Sequence, residues 1–129
     1  MPTYTRDDGK PIVQFDGELE LSPFALYRRL RSDTPLILVD GRRNSDGVRT
    51  LAGALPYPDE EWLPDDPSAE IVVFDDDGSE AFELVTSLRE RGCSRVRLLF
   101  GGLDLYEFSL DPEIVGGETF LVRHRRRPL

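Results

Sequence analysis

Ten residues near the middle of the chain limit what it can fold into. In Ile71-Val72-Val73-Phe74-Asp75-Asp76-Asp77-Gly78-Ser79-Glu80, an apolar run ends abruptly in three carboxylates and a glycine, and a helical pattern follows. Four β-branched or aromatic residues without polar interruption read as a strand buried on both faces, as in a parallel sheet. Gly78 permits a turn that most residues cannot make, and Ser79 is placed to cap the helix after it. In open α/β sheets, ligands bind beyond the carboxyl ends of strands, where helices begin. Residues 75–80 are therefore the first candidate site.

The flanking chain supplies the rest of such a sheet. Residues 11–15 read as a short strand, Asp16-Gly17 as a turn, and residues 18–21 as an alternating strand. Ser22-Pro23 marks a helix start, with serine at the cap and proline in the first turn. Phe24, Tyr27 and Leu30, with Leu26 beside them, form its expected apolar face, and Arg28, Arg29 and Arg31 its outer face. Residues 36–39 are a second buried strand, ending in Asp40-Gly41-Arg42-Arg43, and a polar loop follows to about Thr50. Residues 51–58 read as a short strand and 59–63 as one helical turn whose Trp62 and Leu63 cover a core.

A helix is expected over 79–91, because Ala81, Leu84, Val85 and Leu88 recur at i, i+3, i+4 and i+7, with Gly92 as its terminator. Residues 95–100 form a third buried strand, closed by Gly101-Gly102. Residues 103–108 read as a short helix and 119–122 as a last strand. Strands alternating with helices predict one α/β domain over 1–129. Its mostly parallel sheet has four to five strands, with helices on both faces.

The totals exclude several classes. With 129 residues the chain fits one domain. One cysteine, Cys93, rules out an internal disulfide and a cysteine-based zinc cluster. The single histidine, His124, sits in an Arg-rich tail and is a poor member for a catalytic triad. No run approaches the ~20 apolar residues of a membrane span, and the first residues are polar and loose, without a signal-like apolar region. The expected setting is cytoplasmic, without membrane contact. A net charge of −9 argues against nucleic acid as a partner. Arg123, Arg125, Arg126 and Arg127 hold four of the 16 basic residues. This basic tail, residues 123–129, reads as a solvated terminus or as an arm for an acidic surface.

Four pieces, in order, resemble the rhodanese (sulfurtransferase) domain. Leu36-Ile37-Leu38-Val39-Asp40-Gly41-Arg42 resembles its strand ending in Asp-x-Arg. Thr50-Leu51-Ala52-Gly53-Ala54-Leu55-Pro56-Tyr57-Pro58 resembles its His-Ile-Pro-Gly-Ala segment, with threonine in place of histidine. Gly92-Cys93-Ser94-Arg95-Val96 followed by Leu99-Phe100-Gly101-Gly102 resembles its Gly-Phe-x-x-Val…Gly-Gly ending. Tyr106 stands where the family often has tryptophan. The likeness covers about residues 20–108. It implies that Asp40, Arg42, Gly101 and Gly102 support the loop formed by Asp75, Asp76, Asp77, Gly78, Ser79 and Glu80.

The family's loop runs Cys-x-x-Gly-x-Arg-Ser. Aligned on Gly78, the cysteine falls on Asp75, the arginine on Glu80 and the serine on Ala81. A carboxylate cannot carry a sulfane sulfur, and the added acids repel an anion where the chemistry needs a thiolate in an electropositive cradle. The resemblance thus implies an inactive homologue, a regulatory or protein-binding module with no catalytic residue, metal or cofactor. Asp75 is then a built-in anion on the loop amides, one of a solvent-facing trio, or part of a metal-dependent site. An active sulfurtransferase would need Cys93, which reads as a small buried apolar residue.

The segment Asp75-x-Asp77-Gly78-Ser79 also resembles the first motif of haloacid-dehalogenase-type phosphatases, which implies Asp75 as nucleophile and Asp77 as acid/base with Mg²⁺. The family's later lysine is missing, since the one lysine is Lys10. An EF-hand loop starting at Asp75 fails because its sixth position, a glycine, falls on Glu80.

Overall fold

The computed structural model describes residues 16–44 and 49–123. The expected strand at 11–15, Lys10, His124 and Arg125–Arg127 lie outside them. Ten elements follow in order: β1 (Glu20–Leu21), α1 (Pro23–Arg31), β2 (Ile37–Asp40), β3 (Arg49–Leu51), β4 (Ile71–Phe74), α2 (Phe82–Glu90), β5 (Val96–Leu99), α3 (Gly102–Ser109), α4 (Pro112–Val115) and β6 (Leu121–Arg123). Four strands form a parallel sheet in the order β1-β5-β4-β2. β3 and β6 form a separate antiparallel pair.

Strand β4 has neighbours on both edges, and all four of its residues are buried, as its unbroken apolar run requires. Its side chains alternate between two cores. Val72 and Phe74 join Leu26, Tyr27, Leu38, Leu99, Leu103 and Tyr106 on the α1 and α3 side. Ile71 and Val73 join Ala81, Leu84, Val85, Leu88 and Val96 on the α2 side. Fully burying side chains of this size contributes roughly 1.5–3 kcal/mol each. The parallel sheet covered by helices on both faces therefore follows from the strand pattern.

Helix α1 starts as its sequence directs: the Ser22 Oγ accepts the Ala25 N–H at 3.2 Å, and Pro23 sits in the first turn. Its buried face is Pro23, Leu26 and Tyr27, and Phe24 is 48% exposed, against the expected face. Arg29, read as an outer residue, donates to the buried Glu70 at 2.7 Å, just before β4. Helix α2 begins at Phe82, three residues later than expected, and Ser79 does not cap it. Its end follows the expected glycine stop. The Gly92 N–H donates to the Arg89 carbonyl and the Cys93 N–H to the Leu88 carbonyl, the paired bonds of a Schellman ending. Cys93, 2% exposed, packs in the α2-side core.

The segment after β2 differs most from the reading. Residues 49–51 pair with β6 rather than with the main sheet, and of the expected strand 51–58 only Leu55 bridges Val39. Residues 59–62 make one turn rather than a helix, through the Trp62 N–H and the Asp59 carbonyl. Trp62 packs on the α2-side core and Leu63 is exposed. Helix α4 is an addition to the expected elements; the Asp111 side chain caps it at the Glu113 N–H. Among the described residues, no helix is long and apolar enough to cross a membrane.

Gly102 opens α3 with φ at +63°, and a Cβ there would lie 2.5 Å from the Asp76 carbonyl carbon and the Asp77 nitrogen. Both atoms are backbone and have no rotamer to yield. We expect Gly102→Ala to lower stability by about 2–4 kcal/mol, read as a lower denaturant midpoint at unchanged slope. A midpoint near wild type would show that the approach of α3 to the loop can relax.

Candidate functional site

The loop that leaves β4 is fixed from two directions. Asp75 and Asp76 offer their carbonyls to the first turn of α3: the Leu103 N–H donates to Asp75 at 2.7 Å and the Asp104 N–H to Asp76 at 2.8 Å. The chain then reverses at Gly78, where φ is +92°, a region open to glycine but costly for other residues. After the reversal, three backbone N–H groups point back at the end of β4.

The Asp75 carboxylate meets them. Its Oδ1 accepts the Gly78 N–H, and its Oδ2 accepts the Glu80 N–H at 2.7 Å and the Ala81 N–H at 2.8 Å. Asp75 is 0% exposed. Burying a carboxylate is expensive unless its lone pairs are filled, and charge-assisted bonds to backbone N–H groups are the strong kind. The donors precede the first turn of α2, where the positive end of the helix dipole also favours a negative charge.

The other acids of the loop turn outward. The exposed Asp77 accepts from the Ser79 hydroxyl at 2.6 Å and the Ser79 N–H at 3.0 Å, which holds its pKa below the usual carboxylate range. This explains why Ser79 caps no helix: its hydroxyl is engaged within the loop. Glu80 accepts the Arg43 N–H at 3.0 Å. The Arg43 guanidinium lies over the Tyr57 ring at 5.6 Å and 3.6 Å from Glu83.

Beside the loop, Arg42 is 6% exposed. Its Nε and Nη2 each donate to Asp40 at 3.0 Å, a bidentate pair at the end of β2. Its Nη1 donates to Asp76 at 3.1 Å and its Nη2 to the Arg49 carbonyl at 2.8 Å, with Phe74 beneath at 5.8 Å. Arg49 joins from β3, donating to Glu107 at 2.8 Å, to Asp76 at 3.4 Å and to Asp104. Burial works against both guanidinium charges, but the carboxylates around them outweigh it and hold both pKa values above the ordinary range.

The fold therefore brings together Asp75–Glu80, Asp40, Arg42, Gly101 and Gly102. Sequence reasoning missed Arg49, Asp104 and Glu107. Arg49 lies 27 residues from Asp76 and 58 from Glu107, with no helical or strand spacing to connect them. Tyr106 is buried and donates its hydroxyl to the Thr119 carbonyl, and burial pushes its pKa up. Cys93 lies beyond the far end of α2 from the loop. A cavity of about 280 Å³, lined by Pro35, Leu36, Ile37, Ser68, Glu70 and Arg95 among others, lies at the amino-terminal ends of β2, β4 and β5, remote from the loop. Among the described residues, no group of three or more His, Cys, Asp or Glu could hold a metal ion.

No protein-family model matches the sequence, and no curated protein does. Solved structures do match. A rhodanese-like domain from Anabaena aligns at a TM-score of 0.64 with 22% identity, over 87% of this chain and 86% of that one. The fold is that of rhodanese-like domains. A rhodanese-related protein from Thermoplasma volcanium aligns at 0.59 with 16% identity, over 70% and 92% of the two chains. Part of an NAD-dependent persulfide reductase from A. fulgidus aligns at 0.51 with 21% identity, over 67% of this chain and 16% of that one.

Replacing Asp75 by Asn keeps the size but removes the charge and one acceptor oxygen. We expect Asp75→Asn to lower unfolding stability by about 2–4 kcal/mol, since it strands buried N–H groups. Asp77→Asn, at an exposed and solvent-screened site, should leave the denaturant midpoint close to wild type. Equal effects at the two positions would contradict the geometry described.

Proposed function

We propose that this chain is a rhodanese-like domain without sulfurtransferase chemistry, working as a regulatory or protein-binding module. One observation carries the reading: the Asp75 carboxylate is buried and accepts all three N–H groups that converge on it. In the family resemblance, Asp75 stands at the position of the nucleophilic cysteine. A cysteine thiolate there would take the same amide donors and could carry a sulfane sulfur. Here the cradle already holds a carboxylate that cannot form a persulfide. Cys93 offers no substitute, being buried beyond the other end of α2. A cytoplasmic setting and a protein partner belong to the same proposal.

The same observation weighs against Asp75 as a phosphatase nucleophile. An attacking carboxylate needs an oxygen open to the substrate, whereas Asp75 is buried with both oxygens turned to the N–H groups of its own loop.

The test is transfer of sulfur from thiosulfate to cyanide, measured as thiocyanate. We expect the wild-type chain to give no turnover above the enzyme-free blank. Turnover in wild type that Cys93→Ser abolishes would overturn the proposal.

A further inference from the structure

The β3–β6 pair shares no ladder with the main sheet, and an isolated two-stranded pair is marginal in water. Its register places Arg49 directly opposite Arg123, and like charges in that position are destabilising. Glu107 resolves the conflict. From α3, its Oε2 accepts from Arg49 at 2.8 Å and its Oε1 accepts from Arg123. One carboxylate thus bridges two arginines that would otherwise repel each other.

The bridge does not end there. Arg49 also donates to Asp76 at 3.4 Å and to Asp104, and its carbonyl accepts from the buried Arg42 at 2.8 Å. Arg42 in turn holds Asp40 and Asp76. A continuous path of ion pairs therefore runs from β6, through Glu107 and Arg49, to the loop after β4. The backbone adds a second tie, from the Ala52 N–H to the Phe120 carbonyl at 2.8 Å. Apolar anchoring falls mainly on β3 and the entry to β6: Leu51 is buried in the core with Phe120 and Leu121 packed against it, while Val122 is half-buried and Arg123 exposed at the outer end.

We propose that β6 is a strap whose docking is coupled to the Asp75–Glu80 loop, with Glu107 as the latch. Closed, the strap holds Arg49 over Asp76 and Asp104. Released, it frees Arg49, removes a cation from the acidic rim and loosens Arg42. The coupling concerns how the loop is held. It stands or falls apart from the reading of Asp75 as a replaced nucleophile.

The test is amide hydrogen exchange on the full chain, comparing wild type with Glu107→Gln, Arg123→Gln and the double variant. Losing the bridge while keeping both arginines should speed exchange in Glu107→Gln about fivefold, as expected for an ion pair worth ~1 kcal/mol. The effect should appear at Ala52 and Val122 in the pair and equally at Arg42, Arg43 and Gly78 around the loop. The double variant lacks the repulsion but also the Arg49–Glu107 pair, so its exchange should fall between that of Glu107→Gln and that of wild type. Arg123→Gln, an exposed substitution, should stay within about twofold of wild type, because bridge and repulsion leave together. Acceleration confined to the strand pair would overturn the coupling. No acceleration anywhere would overturn the latch. A double variant that exchanges as fast as Glu107→Gln, or a fivefold effect of Arg123→Gln alone, would overturn the charge argument.

Discussion

A buried carboxylate with three backbone donors organises this structure. The Asp75 side chain stabilises the reversal at residues 76–81 because it satisfies N–H groups that have no partner in α2, which starts at Phe82. Without it, a helix start and a buried strand end would each be left with an unmet polar group, at about 1–3 kcal/mol apiece. The position of α2, and with it the core formed by Ala81, Leu84, Val85 and Leu88, depends on this contact.

The glycines and arginines around the loop follow from the same constraint. α3 must come close enough to donate to the Asp75 and Asp76 carbonyls, and only a residue without a Cβ fits at Gly102. Bringing Asp76, Asp104 and Glu107 to one rim concentrates negative charge, which Arg42, Arg49 and Arg123 offset. The arginines do not form an open electropositive seat. Each is committed to carboxylates of the chain itself, and Arg42 is tied to Asp40 by a bidentate pair.

Much of the fold was legible because its signals are local. The apolar runs of β2, β4 and β5, the Ser22-Pro23 start of α1, and the i, i+3, i+4, i+7 face of α2 each state their environment in a few residues. The loop at 75–80 was legible for the same reason, and the Asp75 contact was among the alternatives its geometry suggested. What escaped was non-local. Ser79 reads as a cap until its hydroxyl is seen on Asp77. Phe24 has the spacing of a core residue, but Pro23 and Leu26 take the buried side of α1. The β3–β6 pair joins residues some 70 apart, and nothing within Arg49-Thr50-Leu51 announces its partner. Arg49 at the hub of the charged rim could not have been found from spacing.

The central claim is that Asp75 is a built-in anion rather than a metal-binding or attacking group. A Mg²⁺ titration of thermal stability, on wild type beside Asp75→Asn, tests it most directly, because a ligand that binds only the folded state must raise the melting temperature with its concentration. The account predicts no saturable response to Mg²⁺ in wild type and a lower melting temperature for Asp75→Asn at every concentration. A saturable rise in wild type that Asp75→Asn abolishes would contradict it and make the acidic loop a metal site.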